Sequence, residues 1–387
     1  MTESVVVYSG LKSGAAGADL AEQIRAQFGD TAPDAIILFA SSVHDFPQLL
    51  SALSERCHPV ALVGCSSAGE FVTGAAGTGL SCAVALRSND IVFQAAVATD
   101  LASDRERAAG TLFAQLRGEE YPEFRYRSAL VLSDALAGFT DELIESLTLM
   151  SGGTYQFFGG GAGDDAQFQR TDVFCGATVY CDAVVALEML SHKPIGLGVR
   201  HGWTSAGAAM RVTEVNGLQL MSLDGAPAVE AFEAHAAATG QHFDRNDPLP
   251  FFLHNVIGIH SAGEHKLRVP LGVNADGSII TAADIPVGAL VSIMGTSDAS
   301  SADAATHAAE SALEQLHGAK PSVVLFFDCV ATRLRLGDSF SLELGALQAA
   351  LGGGQFVGCN THGQIARSDH QFSGFHNCTA VVCVIPE

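Results

Sequence analysis

The chain is 387 residues long, 48% hydrophobic and 16% charged, a composition that suits a globular protein of two or three domains. Its 42 acidic and 20 basic residues leave a net charge of −22, a field that repels phosphate backbones and anionic lipid and so disfavours nucleic-acid and membrane-surface partners. No apolar run approaches the ~20 residues that span a bilayer, and Met1-Thr2-Glu3-Ser4 lacks the basic start of a signal peptide, so a cytoplasmic protein is expected.

Short apolar runs alternate with amphipathic stretches of helix length, the pattern of a layered α/β fold. The first segment predicts a strand over 4–9, a helix over 18–28 and a strand over 35–40. A helix over 47–56 and strands over 60–63 and 82–86 follow. The second repeats this order, with strands at 91–98, 129–132 and 177–187 and helices at 104–116 and 141–150. A third copy is expected after a different stretch, from Gly196 to about Pro286, that reads as an inserted hairpin-plus-helix segment. Its strands fall at 290–294, 323–327 and 379–385, its helices at 302–316 and 342–351. The implied division is residues 1–190 and 191–387.

Each copy carries a glycine-rich loop. Gly64-Cys65-Ser66-Ser67-Ala68-Gly69-Glu70-Phe71 returns as Gly358-Cys359-Asn360-Thr361-His362-Gly363-Gln364-Ile365, and the second copy has Gly159-Gly160-Gly161-Ala162-Gly163-Asp164-Asp165. Such repetition marks a chain built from copies of one unit. Glycines and small hydroxyl residues after a strand let backbone N–H groups approach a ligand carboxylate or phosphate. Gly64, Cys65, Ser66, Gly159, Gly358, Asn360 and His362 are therefore ligand-contact candidates. Glu70, Asp164 and Gln364, taken as equivalent loop ends, would hold an ammonium or amide. The same glycines equally suit a tight turn with a capping carboxylate, and both readings stay open here. Arg333, in a base-poor chain, is placed to clamp a carboxylate or to pair with Asp328 or Asp338.

Nine cysteines with no CxxC read as reduced, buried small hydrophobes rather than redox or zinc groups. No P-loop, strand-borne GxGxxG, metal motif or catalytic triad signature appears, so an enzyme is not expected.

In order, GCSSAGEF, FFGGGAGDD, Arg211-Val212-Thr213…Leu223-Asp224-Gly225-Ala226-Pro227-Ala228, Leu325–Asp328 with Cys329 and Arg333, GCNTHGQI and Phe375-His376-Asn377 resemble the two halves of the FIST domain. The resemblance covers essentially the whole chain. It implies a prokaryotic-type sensory module that binds a small ligand, amino acids being the generic proposal. The chain is also similar to a branch of stand-alone FIST modules that bind haem and report nitric oxide. With no room for an output domain of its own, it would signal in trans to a histidine kinase or a cyclic-di-nucleotide signalling enzyme.

That branch directs attention to the histidines, seven of fourteen lying between His192 and His265. His254 and His260 fall within the apolar run 249–260, a setting that offers iron an imidazole and porphyrin an apolar wall. His254 is the expected iron ligand, with His260 and His242 behind it and Arg268 and Lys266 for the propionates. Any one of these histidines reads equally as a surface or hydrogen-bonded residue. The competing expectation is a haem-free amino-acid or carboxylate sensor that uses the glycine loops, Arg333 and Glu70.

Overall fold

The computed structural model describes residues 1–261, 264–367 and 374–387. Three units follow one plan. The first contributes strands Thr2–Ser9, Ala35–Ser41, Ala61–Ser67 and Ser81–Ser88, with helices Ser13–Phe28 and Phe46–Cys57 in its crossovers. The second contributes strands Ile91–Thr99, Tyr126–Ser133, Gln156–Gly161 and Ala183–Ser191, with helices Arg105–Phe113 and Thr140–Met150. The third has strands Gly196–Arg200, Pro321–Cys329, Phe356–Thr361 and Ala380–Pro386. Its helices are Asp298–Glu314, Val330–Leu336 and Phe340–Ala350.

Within each unit the strands lie side by side in the order first, fourth, second, third. The second and third run parallel, joined by a helical crossover, and the fourth is antiparallel to its neighbours. Ala35–Ser41 is buried along its whole length, which explains why it reads as an unbroken apolar run rather than an alternation. Helix Phe46–Cys57 starts where Asp45 accepts the Gln48 N–H and Pro47 occupies the first turn.

After the third strand each unit sends a short hairpin into another unit's sheet. Glu70–Val72 with Ala75–Gly77 joins the third unit, Val173–Cys175 with Thr178–Tyr180 the first, and Gln364–Arg367 with Gly374–His376 the second. Three six-stranded sheets result, tied in a ring. Their inner faces share one core in which Phe39 meets Phe327 edge-on at 5.6 Å between ring centroids and Phe158 approaches Phe327 at 6.5 Å. The helices cover the outer faces through separate apolar clusters.

The structure corrects two expected boundaries. The third unit opens with Gly196–Arg200, before the insert, whereas Leu290–Gly295 belongs to the insert's own sheet. The expected strand over 177–187 divides into the hairpin strand Thr178–Tyr180 and Ala183–Ser191, separated by Asp182 at φ +48°. The insert is more than a hairpin and helix. It is a 9-stranded antiparallel sheet carrying helices Ala228–Thr239 and Leu249–Phe252, with Phe232, Phe251 and Phe252 in its core.

Asp141 bonds the insert to the second unit. It pairs with Arg268 at 2.5 Å and Lys266 at 2.6 Å, and accepts the Phe375 N–H at 2.7 Å. Among the described residues, no helix is long and apolar enough to cross a membrane.

Candidate functional site

The three glycine loops interlock. The N–H of Ala68 donates to the Asn360 carbonyl at 2.9 Å and that of Asn360 to Gly69 at 2.8 Å. The Gly163 N–H donates to Ser66 O at 2.8 Å, the Gly161 N–H to Gly363 O at 2.9 Å, and the His362 N–H to Gly161 O at 3.0 Å. Backbone polar groups that a glycine loop exposes are thus largely satisfied by the neighbouring loop.

The first glycine of each loop packs a strand. Gly64, Gly159 and Gly358 lie opposite Leu38, Val131 and Phe326, where a Cβ would fall 2.2, 2.1 and 1.9 Å from the facing carbonyl oxygen. These glycines face protein rather than an open cavity. Cys65 is wholly buried in the central core with Cys359 and Cys82, and Ser66 Oγ accepts the Asp172 N–H at 2.9 Å.

Strand pairing also corrects the expected equivalence of loop ends. Glu70 pairs with Cys359, Gln364 with Gly160, and Val173 with Cys65, so Val173 takes the place expected of Asp164. The second loop is longer. Asp164 closes that extension by accepting the N–H groups of Phe168, Gln169 and Arg170 at 2.7–3.0 Å. Gln364 bridges Thr361 and Thr379. The His362 ring stacks on Phe168 at 4.7 Å and lies 3.4 Å from Asp164, and burial pushes its pKa down to about 4.

Beside this ring of loops a cavity of about 470 Å³ opens between the first unit's hairpin and the third unit's helices. Its polar end holds Glu70, Arg333 and Asn360, and Phe71, Phe340, Leu334 and Leu344 supply apolar surface. Burial raises Glu70 to about 7, although the Ser67 hydroxyl at 2.5 Å and the Leu80 N–H at 3.0 Å favour its ionised form. Asn360 donates to Asp328 at 3.5 Å, and burial pushes Asp328 up. This orients the Asn360 oxygen towards Gly69.

Gly69, at φ +143°, is what brings these groups together. A Cβ there would lie 2.6 Å from Asn360 Oδ1 and 3.2 Å from Arg333 Nε. Among the described residues both of those atoms are buried without a hydrogen-bond partner, as is Asp165 Oδ1, which stands 3.8 Å from the Arg333 guanidinium. The Arg333 guanidinium, in a long ion pair with Asp165, thus stands beside the Asn360 oxygen and a carboxyl poised near neutrality, its Nε and both acceptor oxygens lacking hydrogen bonds among the described residues. Native proteins rarely leave buried polar atoms unpaired unless a ligand or water completes them.

The FIST N domain family model matches residues 34–226 and the FIST C domain model residues 211–367. The chain belongs to the FIST family. FIST domains are small-ligand sensor domains of signalling proteins. No curated protein matches the chain. Among solved structures it is similar to cyanuric acid hydrolase from A. caulinodans, at a TM-score of 0.35 and 9% identity over 100% of both chains. A likeness that low carries no argument about activity.

The residues suggested for haem have separate settings. His242 and His254 are exposed, and the partial desolvation of the His254 ring, with Arg335 nearby, lowers its pKa. His260 is exposed and its Nε2 lies 2.8 Å from Ser292 Oγ. Arg268 pairs with Ile257 across the hairpin, so His260, three residues on from Ile257, points to the opposite face. The Arg268 guanidinium is buried, donating to the carbonyls of Asp284, Leu267 and Phe375 and to Asp141. Lys266 is likewise engaged with Asp141. Arg268 and Lys266 are thus turned to Asp141, on the face of the hairpin opposite His260.

The first unit's hairpin and the third unit's loop and helices therefore supply the candidate site, with Glu70, Arg333 and Asn360 recognisable from sequence. Gly69, Asp165, Phe71 and Phe340 were not singled out. The signal that could have found Gly69 was its place beside Glu70 in the repeated motif.

Proposed function

We propose that this FIST module binds a small amino acid, or a closely related carboxylate with an apolar tail, in the cavity of Glu70, Arg333 and Asn360. The unpartnered Asn360 Oδ1 and Arg333 Nε beside Gly69 carry the reading. Arg333 would take the carboxylate as a two-pronged donor, the geometry in which guanidinium is strongest. Glu70 and the Asn360 oxygen would accept from the ammonium, drawing Glu70 to its ionised form. Phe340, Leu334 and Leu344 would cover the tail. The cavity falls in the ~300–1,000 Å³ range of small-molecule sites, mostly apolar with a few convergent polar groups.

Binding there joins the first unit's hairpin to the helices Val330–Leu336 and Phe340–Ala350. A ligand that favours one arrangement of these elements shifts its population, and a partner signalling protein that docks on them reads the shift. The role is recognition, with no group assigned to turnover.

A thermal-shift screen of the proteinogenic amino acids, run beside a haemin titration, tests the proposal. Stabilisation by an amino acid that disappears in Arg333→Gln supports it. No stabilisation by any amino acid, with a saturable Soret band at one haem per chain, would overturn it in favour of haem on an exposed histidine such as His254.

A further inference from the structure

At the far end of the second unit's sheet from its glycine loop lies a second cavity, of about 630 Å³, that the ligand reading does not use. It opens where Tyr126–Ser133 and Gln156–Gly161 begin, and the turn at Pro194 and the end of helix Asp298–Glu314 complete it. Arg125, Arg127 and Arg367 line it, with His317 at its edge, and among the described residues its lining contains no carboxylate. In a chain with 20 basic residues against 42 acidic ones, three guanidinium groups around one hollow depart from the overall balance.

None of the three is in an ion pair among the described residues, although most of the chain's other arginines are. Arg367 is held in place by the Tyr155 carbonyl at 3.3 Å, and a Cβ on Gly153 would lie 3.2 Å from its Nη2. The stem of Arg127 packs over Gly118, where a Cβ would fall 3.0 Å from its Cδ. Arg125 rests on the Tyr126 ring at 5.5 Å. Local contacts thus hold these like charges in place while, among the described residues, leaving most of their donors unused. Like charges gathered without counter-charge disfavour one another, and a bound polyanion removes that cost.

We infer that this cavity is a binding site for a small polyanion of the pyrophosphate type, as carried by nucleoside di- and triphosphates. Guanidinium matches phosphate oxygens in pairs, and several such groups in a concave site favour multiply charged anions over monocarboxylates. The C-terminal end of helix Asp298–Glu314 opposes an anion through its dipole, but a partial charge of about one half does not cancel three formal ones. The net charge of −22 repels anions at long range, so recognition depends on this local cluster and weakens with salt.

Isothermal titration with pyrophosphate into the full chain at physiological ionic strength tests the inference, with orthophosphate, citrate and ADP as further probes. We expect 1:1 binding of pyrophosphate and ADP, stronger than citrate, and weakened about tenfold or more by Arg127→Gln. Arg125→Gln, at an exposed position, should weaken it in the same sense and guards against loss of fold in the first variant. Arg333→Gln should leave it unchanged, which separates this site from the amino-acid cavity. Absence of pyrophosphate binding, or binding indifferent to both Arg125→Gln and Arg127→Gln, would overturn the inference. Citrate binding as tightly as pyrophosphate would overturn the phosphate assignment.

Discussion

Replacing Glu70 with glutamine should flatten a pH dependence of stability that the wild type carries. Burial lifts the Glu70 carboxyl from 4.5 to about 7, so the folded chain holds a proton there that the unfolded chain gives up. The sign follows from that difference. The folded state binds more protons between these two values, so stability is lost as pH rises through the window. With 4.5 unfolded and about 7 folded, the carboxyl contributes a loss of about 2.5 kcal/mol between pH 5 and pH 8. Glutamine retains the acceptor for the Leu80 N–H and can donate to the Ser67 hydroxyl, so it preserves the local bonds without titrating. Urea unfolding of both proteins at intervals from pH 5 to pH 8 gives the difference curve directly. Other buried acids, Glu343 among them, titrate in both proteins and cancel. A difference curve flat to within about 0.5 kcal/mol across that range would refute the burial argument for Glu70.

Gly358→Ala should cost about 3 kcal/mol or more or abolish soluble protein, since its Cβ would fall 1.9 Å from the Phe326 carbonyl; urea unfolding or soluble yield reads the loss. Asp141→Asn should destabilise by about 3–5 kcal/mol, because it strands the buried Arg268 guanidinium and leaves Lys266 without its carboxylate. An unfolding midpoint unchanged in that variant would contradict the strut assigned to Asp141. Of the nine cysteines, Cys181 alone is exposed and Cys175 half-buried. Native protein should therefore show one fast thiol with a colorimetric disulfide reagent, and several equally fast thiols would contradict the buried core.

How far the sequence carried depended on locality. The repeated Gly64 and Gly358 motifs revealed the unit, because every third strand must accept a neighbouring carbonyl at the same register point. The exchange of hairpins was not legible, since Glu70 finds Cys359 nearly three hundred residues away and no local pattern encodes that pairing. The nine residues from Asp164 to Asp172 hid the second loop's register and made Asp164 look equivalent to Glu70. The short strand Gly196–Arg200 was missed as the third unit's start because the whole insert separates it from helix Asp298–Glu314, against which it packs. At the site, residue type pointed to Arg333 and Glu70. The gap that Gly69 leaves for Asn360 and Arg333 is a matter of ångströms that only the assembled loops define.

The central claim is that Arg333 anchors a ligand carboxylate beside Glu70 and Asn360. Isothermal titration of the best-stabilising amino acid and its two half-analogues, one without carboxylate and one without ammonium, tests it most directly. The account predicts saturable 1:1 binding to the wild type. Removing the carboxylate should weaken affinity about tenfold to a hundredfold, and Arg333→Gln should abolish the distinction between acid and decarboxylated analogue. Equal binding of all three compounds, or full discrimination retained in Arg333→Gln, would contradict the account.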